Sequence, residues 1–216
     1  MKRRHFSAGI ALTSAALAGA TLPAHAQGKV PEDGNEYITL EKRAPVEAPA
    51  GKIEVVEFFW YSCPHCNAFE PLLERWVKGL PKDVSFRRVP VAFRDDFVPQ
   101  QRLFYALEAL GKVDALQAKV FYAIHVERQN LVTQDTIAAW VEKQGIDRAK
   151  FLDLYNSFAV STNANKARQL QDTYKVDGVP SLGVAGRFYT SGSLTQTMER
   201  ALQVVDYLVA QVRKGK

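Results

Sequence analysis

Ile53-Glu-Val-Val-Glu-Phe-Phe59-Trp-Tyr-Ser-Cys63-Pro-His-Cys66 is the stretch of sequence that decides the fold. Its first half, residues 53–59, is a near-continuous apolar run rich in β-branched and aromatic side chains, which is typical of a strand buried on both faces at the centre of a sheet. After Cys66, apolar side chains recur with helical periodicity at Phe69, Leu72, Leu73, Trp76, Val77 and Leu80. The stretch therefore predicts a central strand that leads directly into a helix.

The N-terminal segment has the pattern of an export signal. Lys2, Arg3 and Arg4 precede a moderately apolar stretch that ends near Leu22, and small residues follow at positions 24 and 26. We expect residues 1–26 to be a cleaved signal peptide, because this stretch is too weakly apolar for a membrane-spanning helix. The adjacent arginines also resemble part of a twin-arginine signal, so the export route stays open.

Removing that segment changes the charge balance. The full chain has 28 basic and 23 acidic residues; without residues 1–26 it has 25 basic and 23 acidic residues, because the segment contains three cations and no acids. The rest of the chain shows no stripe of Lys and Arg of the kind that binds phosphates. Nucleic acid is therefore not an expected partner.

The two cysteines of the chain are three positions apart. A disulfide stabilises a protein mainly by closing a long loop of the unfolded chain, so a bridge between Cys63 and Cys66 would contribute little stability. The small ring that it closes is strained and easily reduced, which suits a bond that forms and breaks during a reaction. The spacing predicts a redox-active dithiol.

The start of the predicted helix favours a thiolate at Cys63. Its sulfur would face free backbone N–H groups and the positive end of the helix dipole, Pro64 suits the first helical turn, and His65 would stabilise a nearby anion. We assign Cys63 as the exposed reacting sulfur and Cys66 as the buried partner that resolves a mixed disulfide. A stabilised thiolate favours the reduced form, so the disulfide form would be a strong oxidant.

A zinc site is the alternative interpretation of Cys-X-X-Cys. Beyond residue 26 the chain has two cysteines and two histidines, and one of those histidines, His65, lies inside the motif. We therefore predict no metal and no external cofactor. The other histidine, His125, is interpreted as a surface or packed residue with no assigned role.

The remaining patterns indicate an α/β protein with an inserted helical block. Helical patterns dominate residues 98–176, and strands are predicted on either side of them, at Tyr37–Leu40, Val84–Val91, Ser181–Val184 and Arg187–Thr190. We expect residues 27–97 and 177–216 to form one domain, interrupted by an all-helical subdomain at 98–176.

Helix starts are predicted from capping residues. Thr133, Asp147 and Ser161 are candidate N-caps within the helical block, and Ser193 with Gln196 resembles a capping box at the start of the last helix. That helix carries a long apolar stripe from Leu194 to Val212.

The segment Glu57–Cys66 resembles the active-site strand and helix of the DsbA family, periplasmic thiol:disulfide oxidases with a thioredoxin fold. Gly178-Val179-Pro180 is similar to the cis-proline loop of that family, and the resemblance covers essentially the whole chain after residue 26. It implies a thioredoxin fold with a helical insertion, a periplasmic location, and donation of the Cys63–Cys66 disulfide to newly exported polypeptides. It further implies reoxidation by a quinone-linked membrane protein resembling DsbB.

The resemblance also implies roles for residues outside the dithiol. Pro180, preceded by Val179, should have a cis peptide bond and present a backbone edge to an extended substrate. Glu57 resembles the buried acid that relays protons for the buried cysteine, whereas Glu54 on the same strand fits a solvated edge glutamate better. The adjacent Trp60 and Tyr61 are predicted to be either an apolar rim or part of the core.

Two further functions remain open at this point. A disulfide isomerase or a cytochrome-maturation reductase would use the same chemistry, but exported isomerases of the related type have a separate dimerisation domain, for which the short polar segment after residue 26 leaves no room. A monomer is therefore expected. A peptide-binding holdase with incidental cysteines is the alternative from another class.

Overall fold

The computed structural model describes residues 29–215 of the 216-residue chain. Its strands are β1 (Ile38–Thr39), β2 (Ile53–Phe59), β3 (Val84–Pro90), β4 (Ser181–Val184) and β5 (Phe188–Ser191). They form a mixed sheet in the order β1-β5-β4-β2-β3, in which β2 and β3 are parallel and the other pairs are antiparallel. The predicted central position of residues 53–59 is confirmed.

The described helices surround this sheet. They are α1 (Pro64–Lys78), α2 (Val98–Ala109), α3 (Val113–His125), α4 (Gln134–Lys143), α5 (Arg148–Tyr155), α6 (Phe158–Thr173), α7 (Gly192–Thr195) and α8 (Met198–Arg213). A short 3-10 turn at Asp95–Phe97 precedes α2. Helices α2 to α6 all lie between β3 and β4 in sequence, and the α/β class is confirmed.

Alternation along β2 divides the core between the two faces of the sheet. Val55 packs with Leu73 of α1 and Val205 of α8, whereas Val56 and Phe58 pack on the side of the inserted helices. On that second side the ring of Tyr174, which follows α6, meets Phe58 edge-on with centroids 5.1 Å apart. Both faces of β2 are therefore covered, which explains its apolar sequence.

Helix α1 begins where the sequence predicts. Cys63 is its N-cap, with a side chain that accepts from the N–H of Cys66, and Pro64 occupies the first turn. The predicted apolar face is confirmed, since Phe69 and Leu73 are buried in the core that α1 shares with α8. Gly79 ends the helix and donates its N–H to the carbonyl of Trp76.

Two predicted helix starts are wrong. Ser157, not Ser161, caps α6 by accepting from the N–H of Val160. Ser193 and Gln196 form no capping box for the last helix: Gln196 has a left-handed φ of 67°, and Thr197 caps α8. In both regions several hydroxyl residues lie close together, and each type of residue can cap a helix, so the local sequence does not identify the one that does. The predicted caps Thr133 and Asp147 are confirmed.

The expectation for Glu54 is also wrong. Its side chain is 2% exposed, accepts from the N–H of Glu47 at 2.8 Å and pairs with Arg87 Nε at 3.0 Å. Because β2 is central, no position along it is a solvated edge. Arg87, on the neighbouring strand β3, supplies the charge that makes burial of this carboxylate tolerable.

Residues 31–215 form one compact unit that contains both the sheet and helices α2 to α6. The division into residues 27–97 with 177–216 and an inserted subdomain at 98–176 therefore stays a prediction. The predicted signal peptide, residues 1–26, lies outside the described residues. No helix within residues 29–215 is long and apolar enough to cross a membrane.

At Gly183 of β4 the sheet packs closely against Tyr174, the residue that follows α6. A Cβ at this position would overlap the ring of Tyr174 and would lie 2.7 Å from Val56 Cγ2. We expect Gly183→Ala to lower the free energy of unfolding by about 1–3 kcal/mol, measured by denaturant titration, because the buried ring has to move. Gly79→Ala is the control, since its Cβ would meet only ordinary contacts. Equal stability of the two variants would contradict this packing.

Candidate active site

The two thiols lie where β2 passes into α1. Both are free in this structure; Cys63 is 6% exposed and Cys66 is fully buried. Pro64 and His65 between them are exposed. The prediction that Cys63 is exposed is therefore wrong for this structure: its side chain is buried beneath its neighbours, although it is less completely enclosed than Cys66.

Hydrogen bonds converge on Cys63. Its sulfur lies 3.4 Å from the N–H of Cys66, which donates to it, and 3.4 Å from the carbonyl oxygen of Val179, which accepts from the thiol. A hydrogen bond from the Cys66 thiol lowers the pKa of Cys63 to about 6, against the effect of burial. The backbone N–H groups of Cys66 and His65, and the charge of His65, contribute to this lowering of the pKa. The start of α1 therefore favours a thiolate at Cys63.

Cys66 has the opposite environment. Burial raises the pKa of the Cys66 thiol well above its ordinary value, and the neighbouring Cys63 and Glu57 act in the same direction. The two sulfurs of one motif therefore differ strongly in acidity. At neutral pH the Cys63 sulfur is therefore the more readily ionised of the two, whereas burial disfavours ionisation of Cys66.

The loop before β4 lies against the thiols. The Val179–Pro180 peptide bond is cis, so the predicted geometry of this bond is confirmed. The same loop brings the Val179 carbonyl to Cys63, across 116 positions of sequence. Beside it runs a groove of about 520 Å³ whose lining includes His65, Leu72 and Met198.

Glu57 faces the core below the thiols, where it belongs to a buried charge cluster. Its carboxylate is fully buried and lies 3.2 Å from Arg88 Nε, and Arg88 also donates to Glu70 at 2.6 Å. Burial raises the pKa of Glu57 to about 8 and that of Glu70 to about 7, while the Arg88 charge lowers both. One guanidinium thus serves two carboxyl groups, and the pair retains a proton near neutral pH.

Comparisons with known proteins agree on one family. A family model described as a DSBA-like thioredoxin domain matches residues 54–203. The chain belongs to the DsbA family. The thiol:disulfide interchange protein DsbA of Burkholderia cepacia is 44% identical over 193 residues, which cover 89% of this chain and 91% of that protein. DsbA of Bordetella parapertussis is 44% identical over 204 residues, with 94% and 96% covered.

Solved structures support the same assignment. A crystal structure of Pseudomonas aeruginosa DsbA matches with a TM-score of 0.80 at 40% identity and covers 84% of this chain and 94% of that chain. The oxidoreductase DsbA from Xylella fastidiosa matches with a TM-score of 0.80 at 32% identity, with 86% and 99% covered. The fold is thus the thioredoxin fold of the DsbA family with its helical insertion, and the chain is a protein disulfide oxidoreductase.

In this DsbA family member the aromatic residues before Cys63 have different environments. Tyr61 is 1% exposed and belongs to the core, so a rim role for it is wrong. Trp60 is half-buried and stacks on Phe97 with ring centroids 3.8 Å apart. His125 is packed rather than free at the surface: its Nε2 lies 2.8 Å from the Tyr61 carbonyl oxygen.

Sequence reasoning missed four residues near the dithiol: Glu70, Arg88, Gln100 and Gln117. The register of β2 and β3, which places Glu57 beside Arg88, could have suggested that pair, because an arginine in a buried alternating strand needs an anion. No comparable signal marks the two glutamines, which reach the site from the inserted helices. Within residues 29–215, no three His, Cys, Asp or Glu side chains are placed to hold a metal ion.

Arg88→Met tests the charge cluster. Removing the guanidinium leaves two buried carboxyl groups without a counter-charge, so we expect a loss of about 3–5 kcal/mol in the free energy of unfolding near pH 9. The loss should be smaller at pH 5, where both carboxyl groups are protonated in the folded protein. Both carboxyl groups have a raised pKa in the folded protein, so they bind their protons more tightly when folded than when unfolded. This favours the folded state at low pH, and the contribution is lost as pH rises through the folded-state pKa values of about 7 and about 8.

Two controls accompany this measurement by denaturant titration. Arg88→Lys keeps a cation and should lose less stability than Arg88→Met at pH 9. Arg94→Met removes the exposed ion pair with Asp96. It should change the free energy of unfolding by no more than about 1 kcal/mol at either pH. If Arg88→Met lowered the free energy of unfolding by the same amount at pH 5 and pH 9, Arg88 would not stabilise the ionised carboxyl groups of Glu57 and Glu70.

Proposed function

We propose that this protein is an exported oxidase that donates its Cys63–Cys66 disulfide to other exported polypeptides through a mixed disulfide. The observation that carries the proposal is the difference in acidity between the two thiols: the pKa of Cys63 is lowered to about 6, and that of Cys66 is raised. A stabilised Cys63 thiolate stabilises the reduced protein, so the disulfide form gives up its bond readily.

The reaction begins with attack of a substrate thiolate on Cys63 Sγ of the oxidised protein. A substrate–Cys63 disulfide forms, the Cys63–Cys66 bond breaks, and the Cys66 sulfur leaves with the electron pair. A second substrate thiolate then attacks the substrate sulfur of the mixed disulfide and releases the Cys63 thiolate. The substrate dithiol is oxidised to a disulfide, and the protein is left as the dithiol form.

Glu57 supplies the proton that the leaving Cys66 sulfur needs. The pKa of this carboxyl is raised to about 8, so it carries a proton at neutral pH, and it lies near enough to Cys66 to raise the pKa of that thiol. Proton transfer converts the buried Cys66 thiolate, which burial disfavours, into a neutral thiol. In the reverse step Glu57 takes the proton back.

Pro64, His65 and the loop at Val179–Pro180 act on the surface side of the reaction. Pro64 preforms the first helical turn, and His65 adds positive potential at Cys63. The cis loop presents backbone to an extended substrate, and the adjacent groove, which includes Phe69 and Leu72, accepts its apolar side chains. The disulfide itself is the redox group, with no external cofactor.

Membership of the DsbA family supports the remaining parts of the proposal. Relatives named thiol:disulfide interchange protein DsbA match nearly the whole chain. On that basis we assign the protein to the periplasm, with residues 1–26 as the export signal, and propose a quinone-linked membrane protein resembling DsbB as its oxidant. We expect it to act as a monomer.

Cysteine variants distinguish an oxidase from a holdase. For Cys66→Ser, Cys63 is first converted to its mixed disulfide with glutathione and then mixed with a reduced, unfolded test protein that has a single cysteine. We expect the substrate thiolate to attack Cys63 Sγ, glutathione to leave as its thiolate, and the substrate–Cys63 disulfide to accumulate, since neither protein has a second thiol at hand to release it. Non-reducing electrophoresis and mass spectrometry would show the adducts. Cys63→Ser should form none and should lose turnover. If Cys63→Ser retained the activity of the unmodified protein, the cysteines would be incidental and a holdase would be favoured.

The acidity of Cys63 distinguishes an oxidase from a reductase. Thiolate absorbance at 240 nm of the reduced protein should rise with a midpoint near pH 6, and this step should be absent in Cys63→Ser. Equilibration with glutathione should give a potential well above that of thioredoxin, because the thiolate stabilises the reduced form. A potential as reducing as thioredoxin's would sink the proposed direction of the reaction.

A further inference from the structure

The chain makes a tight turn between the central strand and the active-site helix. It runs from Trp60 to Cys63 and is closed by a hydrogen bond of 3.0 Å from the Cys63 N–H to the Trp60 carbonyl. The peptide group at the centre of this turn joins Tyr61 to Ser62. In four-residue turns this central group has two orientations, which differ by a flip that exchanges the sides of its C=O and N–H.

Both ends of this one peptide group are bound by the inserted helices. The Tyr61 carbonyl lies 2.8 Å from Nε2 of His125, at the end of α3. The Ser62 N–H donates to Oε1 of Gln100, in α2, at 3.2 Å. A carbonyl oxygen only accepts, so Nε2 of His125 must carry the proton in this contact. A flip of the peptide would break both bonds.

The side chains of the turn are bound by the same helices. The Tyr61 hydroxyl donates to Oε1 of Gln117, in α3, at 2.7 Å, and Nε2 of Gln100 donates to Ser62 Oγ at 2.7 Å. Gln100 and Gln117 are only 1% and 2% exposed. Burying an amide is costly unless its hydrogen bonds are made. Gln100 makes them, since its oxygen accepts from Ser62 and its nitrogen donates to Ser62 and to the Leu131 carbonyl, whereas Nε2 of Gln117 is buried without a hydrogen-bond partner among the described residues. The bonded amide of Gln100 therefore indicates a specific role at this turn.

The turn leads directly to the reactive end of helix α1, which indicates what these hydrogen bonds hold in place. Cys63 is the last residue of the turn and also the N-cap of α1, and its sulfur accepts from the N–H of Cys66. The orientation of the Tyr61–Ser62 peptide therefore fixes the backbone that aims this sulfur at the helix start. Ser62 has a negative φ in this structure, so the turn is in the orientation that a residue other than glycine prefers.

We propose that His125 and Gln100 are positioning residues of the reaction: by holding the Tyr61–Ser62 peptide from both sides, they keep the Cys63 sulfur aimed at the N-terminus of α1. The inserted helices thus tune the oxidising strength of the disulfide as well as covering the sheet. This inference rests on the proposed function, since it concerns the strength of the same oxidant.

His125→Phe and His125→Gln form the central pair of variants. Phenylalanine keeps a ring of similar shape without a donor, whereas the amide of glutamine places a donor near the position of Nε2 and carries no charge. We expect His125→Phe to weaken the Cys63 thiolate and to lower the equilibrium constant for oxidising glutathione by about three- to tenfold, the range expected for one lost hydrogen bond. His125→Gln should restore most of that loss.

The measurements are the 240 nm titration of the reduced protein, the glutathione equilibrium and the thermal midpoint of each variant. Because glutamine is neutral, rescue by His125→Gln separates the hydrogen bond from any effect of imidazole charge. An unchanged titration and equilibrium in folded His125→Phe would overturn the proposal. So would a loss in His125→Gln as large as that in His125→Phe.

A second variant breaks the other side of the same peptide. Gln100→Met has a similar length but no hydrogen-bonding group, and it should shift the titration and the glutathione equilibrium in the same direction. If His125→Phe fails to fold, Gln100→Met alone tests whether the hydrogen bonds to the Tyr61–Ser62 peptide stabilise the Cys63 thiolate, and unchanged values in folded Gln100→Met would then overturn the proposal. Tyr122→Ala, on an exposed part of α3, is the matched control and should leave both values unchanged.

Failure of this inference is distinguishable from failure of the proposed function. The unmodified protein tests the function: a thioredoxin-like potential would refute the oxidase whatever the variants do. Differences among the His125 and Gln100 variants test the positioning role. An oxidising unmodified protein whose potential does not respond to these substitutions would leave the function standing and remove the role of the inserted helices.

Discussion

Burial of β2 on both faces is the constraint on which the rest of the structure depends. A strand covered on both sides leaves its polar side chains no route to water, so each of its two carboxylates is matched by an arginine of the neighbouring strand β3. The parallel register of the two strands places Glu57 beside Arg88, and Glu54 lies within reach of Arg87. β2 ends at Phe59, and the chain then passes through a short turn to Cys63, the N-cap of α1. The buried strand therefore fixes where the dithiol lies, at the C-terminal end of β2.

The chemistry depends on an electrostatic difference across a short distance. At the surface, helix N–H groups, the Cys66 thiol and His65 stabilise a negative sulfur at Cys63. Below it, burial and the neighbouring Glu57 disfavour a negative charge on Cys66. Neither environment alone would support the proposed donation of a disulfide. Together they make one sulfur a stable leaving group and keep its partner protonated once the bond is broken.

Local patterns in the sequence are sufficient to predict the central strand β2, helix α1 and the strands β4 and β5, because each depends on neighbours in the chain. The cis bond before Pro180 was predicted from family resemblance and is present. Contacts between distant residues were not predictable in this way: Gln100 and Gln117 resemble any glutamine on a helix, and only packing shows that they reach the turn before Cys63.

Errors arose where several residues could fill one role. Ser157 and Ser161 are both capable of capping α6, and the surrounding packing selects the first. For Glu54, the comparison with Glu57 on the same strand suggests a solvated glutamate, because the sequence does not show that a charged partner lies on the adjacent strand. No side-chain pattern reveals a role for His125, because its partner is a backbone carbonyl.

The contact between Cys63 and the Val179 carbonyl joins positions 116 residues apart in the chain. A polypeptide that emerges from its N-terminus exposes both cysteines long before the loop that completes their surroundings. Until Val179 has been synthesised, the Cys63 sulfur lacks the carbonyl group that lies beside it in the folded protein. Order of synthesis therefore separates the appearance of the reactive sulfurs from the assembly of a complete exchange surface.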